Sequence, residues 1–329
     1  MKNACIIGYG AIGPVHAQAL KNTENVDLYG ICDINHERAD KGAQEHKCRV
    51  FYDFSEVLAD ENIDSVHICT PHYLHESMAI KAIEAGKEVV LEKPVAINLK
   101  ELERLIKKTE GKKLCVMVQN RMNAAIREFK RLVDTDETLG KLIGGFASLT
   151  WCRTPEYYLH DEWRGKWDTE GGGVLINQAI HLIDLVSYLA GEIKSVTGSI
   201  SNKTLFDTIE VEDTADAIFN LKNGAKVCYY ATNGYAENLP MRLELQFENA
   251  LLRYADNVLY RIEGDNIEIV ARNSNKFAGK KYWGSCHEIV INDFYNGGNF
   301  PTLLDVKNSM TTLLKFYESA KNDSKETEI

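Results

Sequence analysis

No apolar run in this chain of 329 residues approaches the ~20 residues that a helix needs to cross a bilayer. A membrane-spanning protein is therefore not expected. The eight cysteines are scattered, with no C-x-x-C pair and no ladder of short spacings, so neither a disulfide framework nor a zinc site is written into them. Most lie in apolar stretches, as reduced, buried thiols do. Basic charge is also short: 38 Lys and Arg stand against 48 Asp and Glu, for a net charge of −10. Without a broad positive field, nucleic acid is not an expected partner. Internal repeats and low-complexity blocks are absent. The opening MKNACIIGYG enters a strand pattern at once and leaves no room for a signal peptide, so a cytoplasmic chain is expected.

What is present, a hydrophobic content of 44% over this length, suffices for two separate cores. Up to about residue 120, wholly apolar runs (ACIIG, DLYGIC, SVHICT, EVVLE, KLCVMVQ) alternate with helical patterns. Strands of that kind, each followed by a helix, form a parallel sheet covered on both faces. Asn98 with Glu101 reads as a capping box, and Gly86 and Gly111 stand where helices end. From 143 onward the runs alternate in character, and Asn223-Gly224 marks a tight hairpin. The reading is α/β: an N-terminal Rossmann domain with a parallel sheet over 1–121, then an α+β domain with a mostly antiparallel open sheet over 122–329. Two late helices, near 286–296 and 303–320, precede a polar tail.

GYGAIGPVH places Gly8, Gly10 and Gly13 directly after a strand and at the opening of a helix, with Ala11 and Ile12 inside the turn. Such glycines let backbone N–H groups approach a pyrophosphate that the helix N-terminus stabilises. Asp33, 20 residues past Gly13 and beside Ile34, stands where a carboxylate accepts from adenosine ribose hydroxyls and repels a 2′-phosphate. NAD is thus expected over NADP. Arg38 either meets a phosphate or pairs with Asp33. In LEKPVA, Lys93 falls at the carboxyl end of a buried strand, where open α/β sheets bind ligands. A partly desolvated lysine there can exchange a proton with a substrate hydroxyl. The Lys93–Pro94 peptide is a candidate for the cis form.

GYGAIGPVH, DSVHICTPHYLH, LEKPVA and GGGVLINQAIHLIDL, in that order, together with HEIVINDFYNGGNFP, resemble the Gfo/Idh/MocA oxidoreductases, named for glucose-fructose oxidoreductase and inositol dehydrogenase. The resemblance runs over nearly the full chain. It implies a Rossmann domain, a C-terminal α/β domain whose open sheet makes dimer or tetramer contacts, and an active site between the two. It further implies nicotinamide-dependent oxidation of a secondary alcohol of a sugar, cyclitol or sugar derivative, or the reverse. By position, Lys93 resembles the family's EKP lysine and His181 its histidine near the substrate. Thr70, Pro71, His75, Glu92 and Asn120 would then lie near the cofactor.

In EGGGVLINQAIHLID, helical spacing puts Asn177, His181 and Asp184 on one face. His181 is the expected general acid/base, with Lys93 polarising the same oxygen and Asn177 fixing substrate hydroxyls. Asp184 either orients a partner or serves helix packing. The common family pattern has Asp four residues before the histidine. With Asn177 instead, His181 and Lys93 are expected to titrate lower than in relatives. The preceding loop supplies Arg153 and Tyr157 for substrate, and Trp163 and Arg164 for cofactor or substrate. His160, Asp161 and Glu162 match no common zinc spacing, and no metal is expected. Two other readings stand beside the dehydrogenase. One is a nicotinamide-binding regulator without turnover; the other is a reductase of a bilin, dihydrodiol or imine.

Overall fold

The computed structural model describes residues 1–273 and 286–329. They fall into two compact units. In the first, strands β1 (Lys2–Ile7), β2 (Val26–Cys32), β3 (Arg49–Phe51), β4 (Ser65–Ile68), β5 (Glu88–Leu91) and β6 (Leu114–Val116) form one sheet in the order β3-β2-β1-β4-β5-β6. Every pairing in it is parallel. Helices α1 (Gly13–Lys21), α2 (His36–His46), α3 (Phe54–Ala59), α4 (His75–Glu84) and α5 (Leu99–Lys108) supply the crossovers that parallel strands require. The order reverses between β1 and β4, which is where such sheets bind ligands beyond their carboxyl ends.

The local signals hold. Asn98 Oδ1 accepts from Glu101 N at 3.0 Å while Glu101 Oε2 accepts from Ile97 N at 3.1 Å, so the cap that starts α5 is reciprocal. Gly86 and Gly111 take left-handed φ of +80° and +68°. The Lys93–Pro94 peptide is cis.

The second unit is built on a nine-stranded sheet of β7 (Leu142–Thr150), β8 (Ile193–Ser201), β9 (Thr214–Leu221), β10 (Lys226–Thr232), β11 (Arg242–Phe247), β12 (Leu251–Ala255), β13 (Val258–Glu263), β14 (Asn266–Arg272) and β15 (Thr327–Glu328). It is antiparallel except where β7 meets β10. Asn223-Gly224 joins β9 to β10 as a tight hairpin. Between strands run α6 (Ala124–Thr135), α7 (Pro155–Leu159) and α8 (Ile180–Ala190).

The boundary expected at 121/122 is only half of the division. Helix α9 (His287–Asn296) belongs with the first unit and α10 (Lys307–Lys321) with the second. The physical cause is packing. Helix α9 lies on α1, and the chain after it adds to the sheet edge at β6, where Val116 N donates to Pro301 O at 2.8 Å. A sequence period reports which face of a helix is apolar, not which core receives it.

Candidate active site

The glycine turn after β1 is built as its spacing requires. Gly8 has φ +90°, and a Cβ there would lie 2.7 Å from Cys69 O; a Cβ on Gly13 would lie 2.6 Å from Gly8 O. At Gly10 a Cβ would meet only the tip of Arg38, at 3.7 Å. Two glycines thus close the turn and the middle one keeps space above it, the cradle that a pyrophosphate needs. Asp33 is fastened to the same turn: Oδ2 accepts from Tyr9 N and Oδ1 from Asn35 N, both at 2.8 Å. Arg38 Nε is 4.0 Å from Asp33 Oδ2, which is the pairing alternative. Ile34 is exposed.

At the neighbouring strand ends, Thr70 and Pro71 follow β4 and Lys93 follows β5. His75 joins the two ends from beneath, as its Nδ1 lies 2.6 Å from Pro94 O and its Nε2 2.8 Å from Thr70 O. Both carbonyls only accept, so both bonds form at once only in the imidazolium. Burial nevertheless lowers the imidazole's proton affinity. His75 is therefore a buried strut between these two strand ends, 1% exposed. Glu92 is turned into a buried cluster, 3.0 Å from His16 Nε2. Asn120, 3% exposed, accepts from Asn123 Nδ2.

In the second unit the segment 170–184 does not form one uniform helix. Leu175–Ala179 is a π turn, and His181 sits in the first turn of α8 that follows. Such turns break the i+3/i+4 rows and recur at functional sites. The π turn holds Asn177 and separates it from His181, so their relation is not the one 3.6-residue spacing predicts, whereas His181 and Asp184, both in α8, keep their i, i+3 relation. Asp184 is a packing group: its oxygens take Arg121 Nε at 2.7 Å and Nη2 at 2.6 Å, and Oδ1 also accepts from Ser309 at 2.9 Å. His181 is 8% exposed.

Asn177 Nδ2 donates to Glu170 Oε1 at 2.5 Å, and Glu170 Oε2 accepts from Gly165 N. The carboxylate missing at 177 is replaced by a wholly buried one at 170, one hydrogen bond away.

The aromatic loop is an ordered stack. Arg153 and Arg164 lie over the Tyr157 ring at 5.1 and 4.6 Å, and Arg164 also covers Trp163 at 4.5 Å. Arg164 Nη1 donates to Tyr157 OH at 2.6 Å and its Nε to Asp161 at 2.9 Å. Gln178, on the π turn, donates to the same hydroxyl at 3.2 Å. Tyr157, Trp163 and Arg164 therefore stand against the helix segment that carries Asn177. Asp161, part of the rejected metal spacing, is spent on Arg164.

Glu212 and Glu170 were not legible as site groups. Glu212 holds the entrance of the π turn, accepting from Gly173 N at 2.9 Å, Leu175 N at 3.0 Å and Tyr317 OH at 2.9 Å. Burial outweighs these donors and pushes its carboxyl up to about 7 from 4.5. Folding thus favours the protonated form. The stability this contributes is complete below about pH 4.5 and is lost as pH rises through about 7. Thermal melts of the protein from pH 4.5 to 8 should show a decline on the order of 3 kcal/mol from this group, and Glu212→Gln should flatten it. An unchanged slope would show that Glu212 is ionised throughout.

Among the described residues, no helix is long and apolar enough to cross a membrane. The family description "Oxidoreductase family, NAD-binding Rossmann fold" matches residues 2–120, and "GFO/IDH/MocA C-terminal domain" matches 126–253. The chain is 29% identical over 228 residues to myo-inositol 2-dehydrogenase of Thermotoga maritima, and 30% identical over 237 residues to glucose-6-phosphate 3-dehydrogenase of Bacillus subtilis. These alignments cover 67% and 68% of this chain, and 65% of the length of each relative. The solved WlbA dehydrogenase from Bordetella pertussis, in complex with NADH and UDP-GlcNAcA, superposes with a TM-score of 0.85 at 27% identity, over 100% of this chain and 98% of that one.

Proposed function

Because the chain belongs to the Gfo/Idh/MocA family of oxidoreductases, we propose that it moves a hydride between a secondary alcohol of a sugar, cyclitol or sugar derivative and NAD. The observation that carries this reading is the pairing, in one unit, of a glycine cradle fastened to Asp33 with a lysine at the carboxyl end of β5. The first is a dinucleotide site and the second is a proton-transfer group in the place where such sheets bind ligands. The relatives named above, acting on inositol and glucose 6-phosphate, favour hydroxyl-rich substrates.

Gly8 to Gly13 would hold the pyrophosphate, Asp33 the adenosine ribose, and Thr70 and Pro71 the wall beyond. The nicotinamide supplies the hydride acceptor. The chain's own task is to take the hydroxyl proton as the hydride leaves. His181 is the general acid/base, Lys93 is the second proton-transfer group, and Asn177, fixed by Glu170, orients a substrate hydroxyl. Arg153, Tyr157, Trp163 and Arg164 offer stacked faces and forks for a polyhydroxylated or acidic substrate. The face of the nine-stranded sheet carrying Phe146, Cys228 and Tyr230 is open, which supports a homodimer or homotetramer formed there.

NADH formation across a panel of inositols, aldoses, anhydrosugars and uronic acids tests the proposal. Tight NADH binding with no turnover on any of them would favour the regulator or the non-sugar reductase. Cofactor choice has its own test. Asp33→Asn keeps the acceptor for Tyr9 N and removes the charge, so the ratio of kcat/KM for NAD over NADP should fall at least about tenfold, or ~1.4 kcal/mol. A ratio that stays put would place the discrimination elsewhere.

A further inference from the structure

The first unit buries a chain of polar side chains that the proposed chemistry does not use and that ends on the residue before Lys93. Glu92 Oε1 is 3.0 Å from His16 Nε2, and His16 Nδ1 is 2.9 Å from His67 Nδ1. Beyond them, His67 Nε2 is 2.9 Å from Tyr295 OH, which is 2.6 Å from Ser65 Oγ. The other Glu92 oxygen, Oε2, accepts from Lys93 N at 3.2 Å. Ser65, His16 and His67 are wholly buried. Four parts of the fold contribute: α1, β4, the end of β5, and α9.

Hydrogen-bond bookkeeping gives this chain a direction. Burial alone would raise the Glu92 carboxyl, but the hydrogen bond from His16, with the His287 imidazole 3.6 Å away, holds it well below the ordinary range. A carboxylate only accepts, so His16 Nε2 carries the hydrogen. Burial lowers the proton affinity of both His16 and His67, and each neutral ring has one donor and one acceptor. His16 Nδ1 therefore accepts from His67 Nδ1–H, His67 Nε2 accepts from the Tyr295 hydroxyl, and the Tyr295 oxygen accepts from Ser65. Every donor points toward Glu92.

We propose that this one-way chain positions the catalytic lysine. It fixes the Glu92 carboxylate against the backbone N–H of Lys93, and so sets where the lysine leaves the sheet edge. His16, His67 and Tyr295 are positioning residues in this account, and α9 rejoins the first unit to complete it. The inference rests on the proposed role of Lys93. Each link over-determines the next, since moving Glu92 would strand buried donors. A metal ion is the rival occupant, because His16, Glu92 and His287 offer ligand atoms within 4.8 Å of one another. It would need His16 Nε2 as a bare lone pair, which reverses every donor in the chain.

The two arrangements differ in an observable way. In the full-length protein with ¹⁵N-labelled histidines, long-range proton–nitrogen spectra at pH 7 should show His16 as the Nε2–H tautomer and His67 as the Nδ1–H tautomer. Glu92→Gln, whose amide can donate to His16, should convert His67 to Nε2–H. In His16→Ala the Lys93 amide should exchange with solvent at least about tenfold faster, with NADH affinity within about threefold of the parent. His16→Gln, which can still donate to Glu92, should restore most of the protection. His67 found as Nε2–H in the parent, one equivalent of zinc in the purified protein, or unchanged Lys93 exchange in His16→Ala would each overturn the proposal. None of these readouts needs a substrate, so failure of the dehydrogenase reading would be seen separately, in the sugar panel.

Discussion

Asp184→Ala is expected to lower the melting temperature by about 10 °C while leaving the first unit's affinity for NADH unchanged. Asp184 and Arg121 form a two-pronged ion pair, 2% and 6% exposed, with Ser309 as third partner and the Tyr188 ring 4.6 Å from the guanidinium. Removing one member of a buried pair strands the other, at a cost of about 3–5 kcal/mol. In a unit of this size each kcal/mol shifts the transition by roughly 2–4 °C. The pair itself contributes less than that figure, since a stranded charge is worse than none. Asp184→Leu combined with Arg121→Met, which removes both charges, should therefore melt closer to the parent than either single change. Calorimetry of the four proteins decides it. A double variant as unstable as the sum of the singles would show that the two groups act independently, which would overturn the stranded-charge account.

Lys93→Met is expected to reduce kcat by about 10²–10⁴-fold, the usual range for losing a group that moves or stabilises a proton in the transition state. The thioether roughly keeps the length of the lysine stem and removes the amine. NADH affinity, read by fluorescence titration, should change little, because the glycine turn and Asp33 are fastened together without Lys93. His181→Ala should cut kcat over a similar range. The double variant separates the roles: if both act on one oxygen, its loss will be smaller than the product of the singles. Turnover that survives both substitutions would sink the proton-transfer scheme.

Much of the fold was legible because its signals are local. A wholly apolar run of four to six residues followed by a helix describes a covered parallel strand wherever it occurs, and Gly13, Asn98 and Gly224 each answer to backbone geometry within a few residues. The glycine cradle, Asp33, and Lys93 ahead of a cis Pro94 belong to the same class. The relation of Asn177 to His181 in the 170–184 segment was not legible, for one reason. A spacing of i, i+4, i+7 identifies one face only if the helix keeps 3.6 residues per turn, and the π turn at Leu175–Ala179 does not.

The groups missed altogether are those whose partners are remote in sequence. His16 and His67 look like stray polar residues in apolar elements until α9 brings His287 and Tyr295 beside them. Glu170 lies seven positions from Asn177, yet only the folded loop makes it the carboxylate that Asn177 reads. Glu212 resembles a solvated acid before β9 until Tyr317, from α10, closes over it. Periodicity, turn chemistry and strand-end position, each a property of a short window, determined from sequence alone the two-sheet architecture, the dinucleotide turn and the lysine. Tertiary structure decided which buried charges share a hydrogen bond and to which unit α9 belongs, because burial and pairing depend on contacts between segments that a window never holds together.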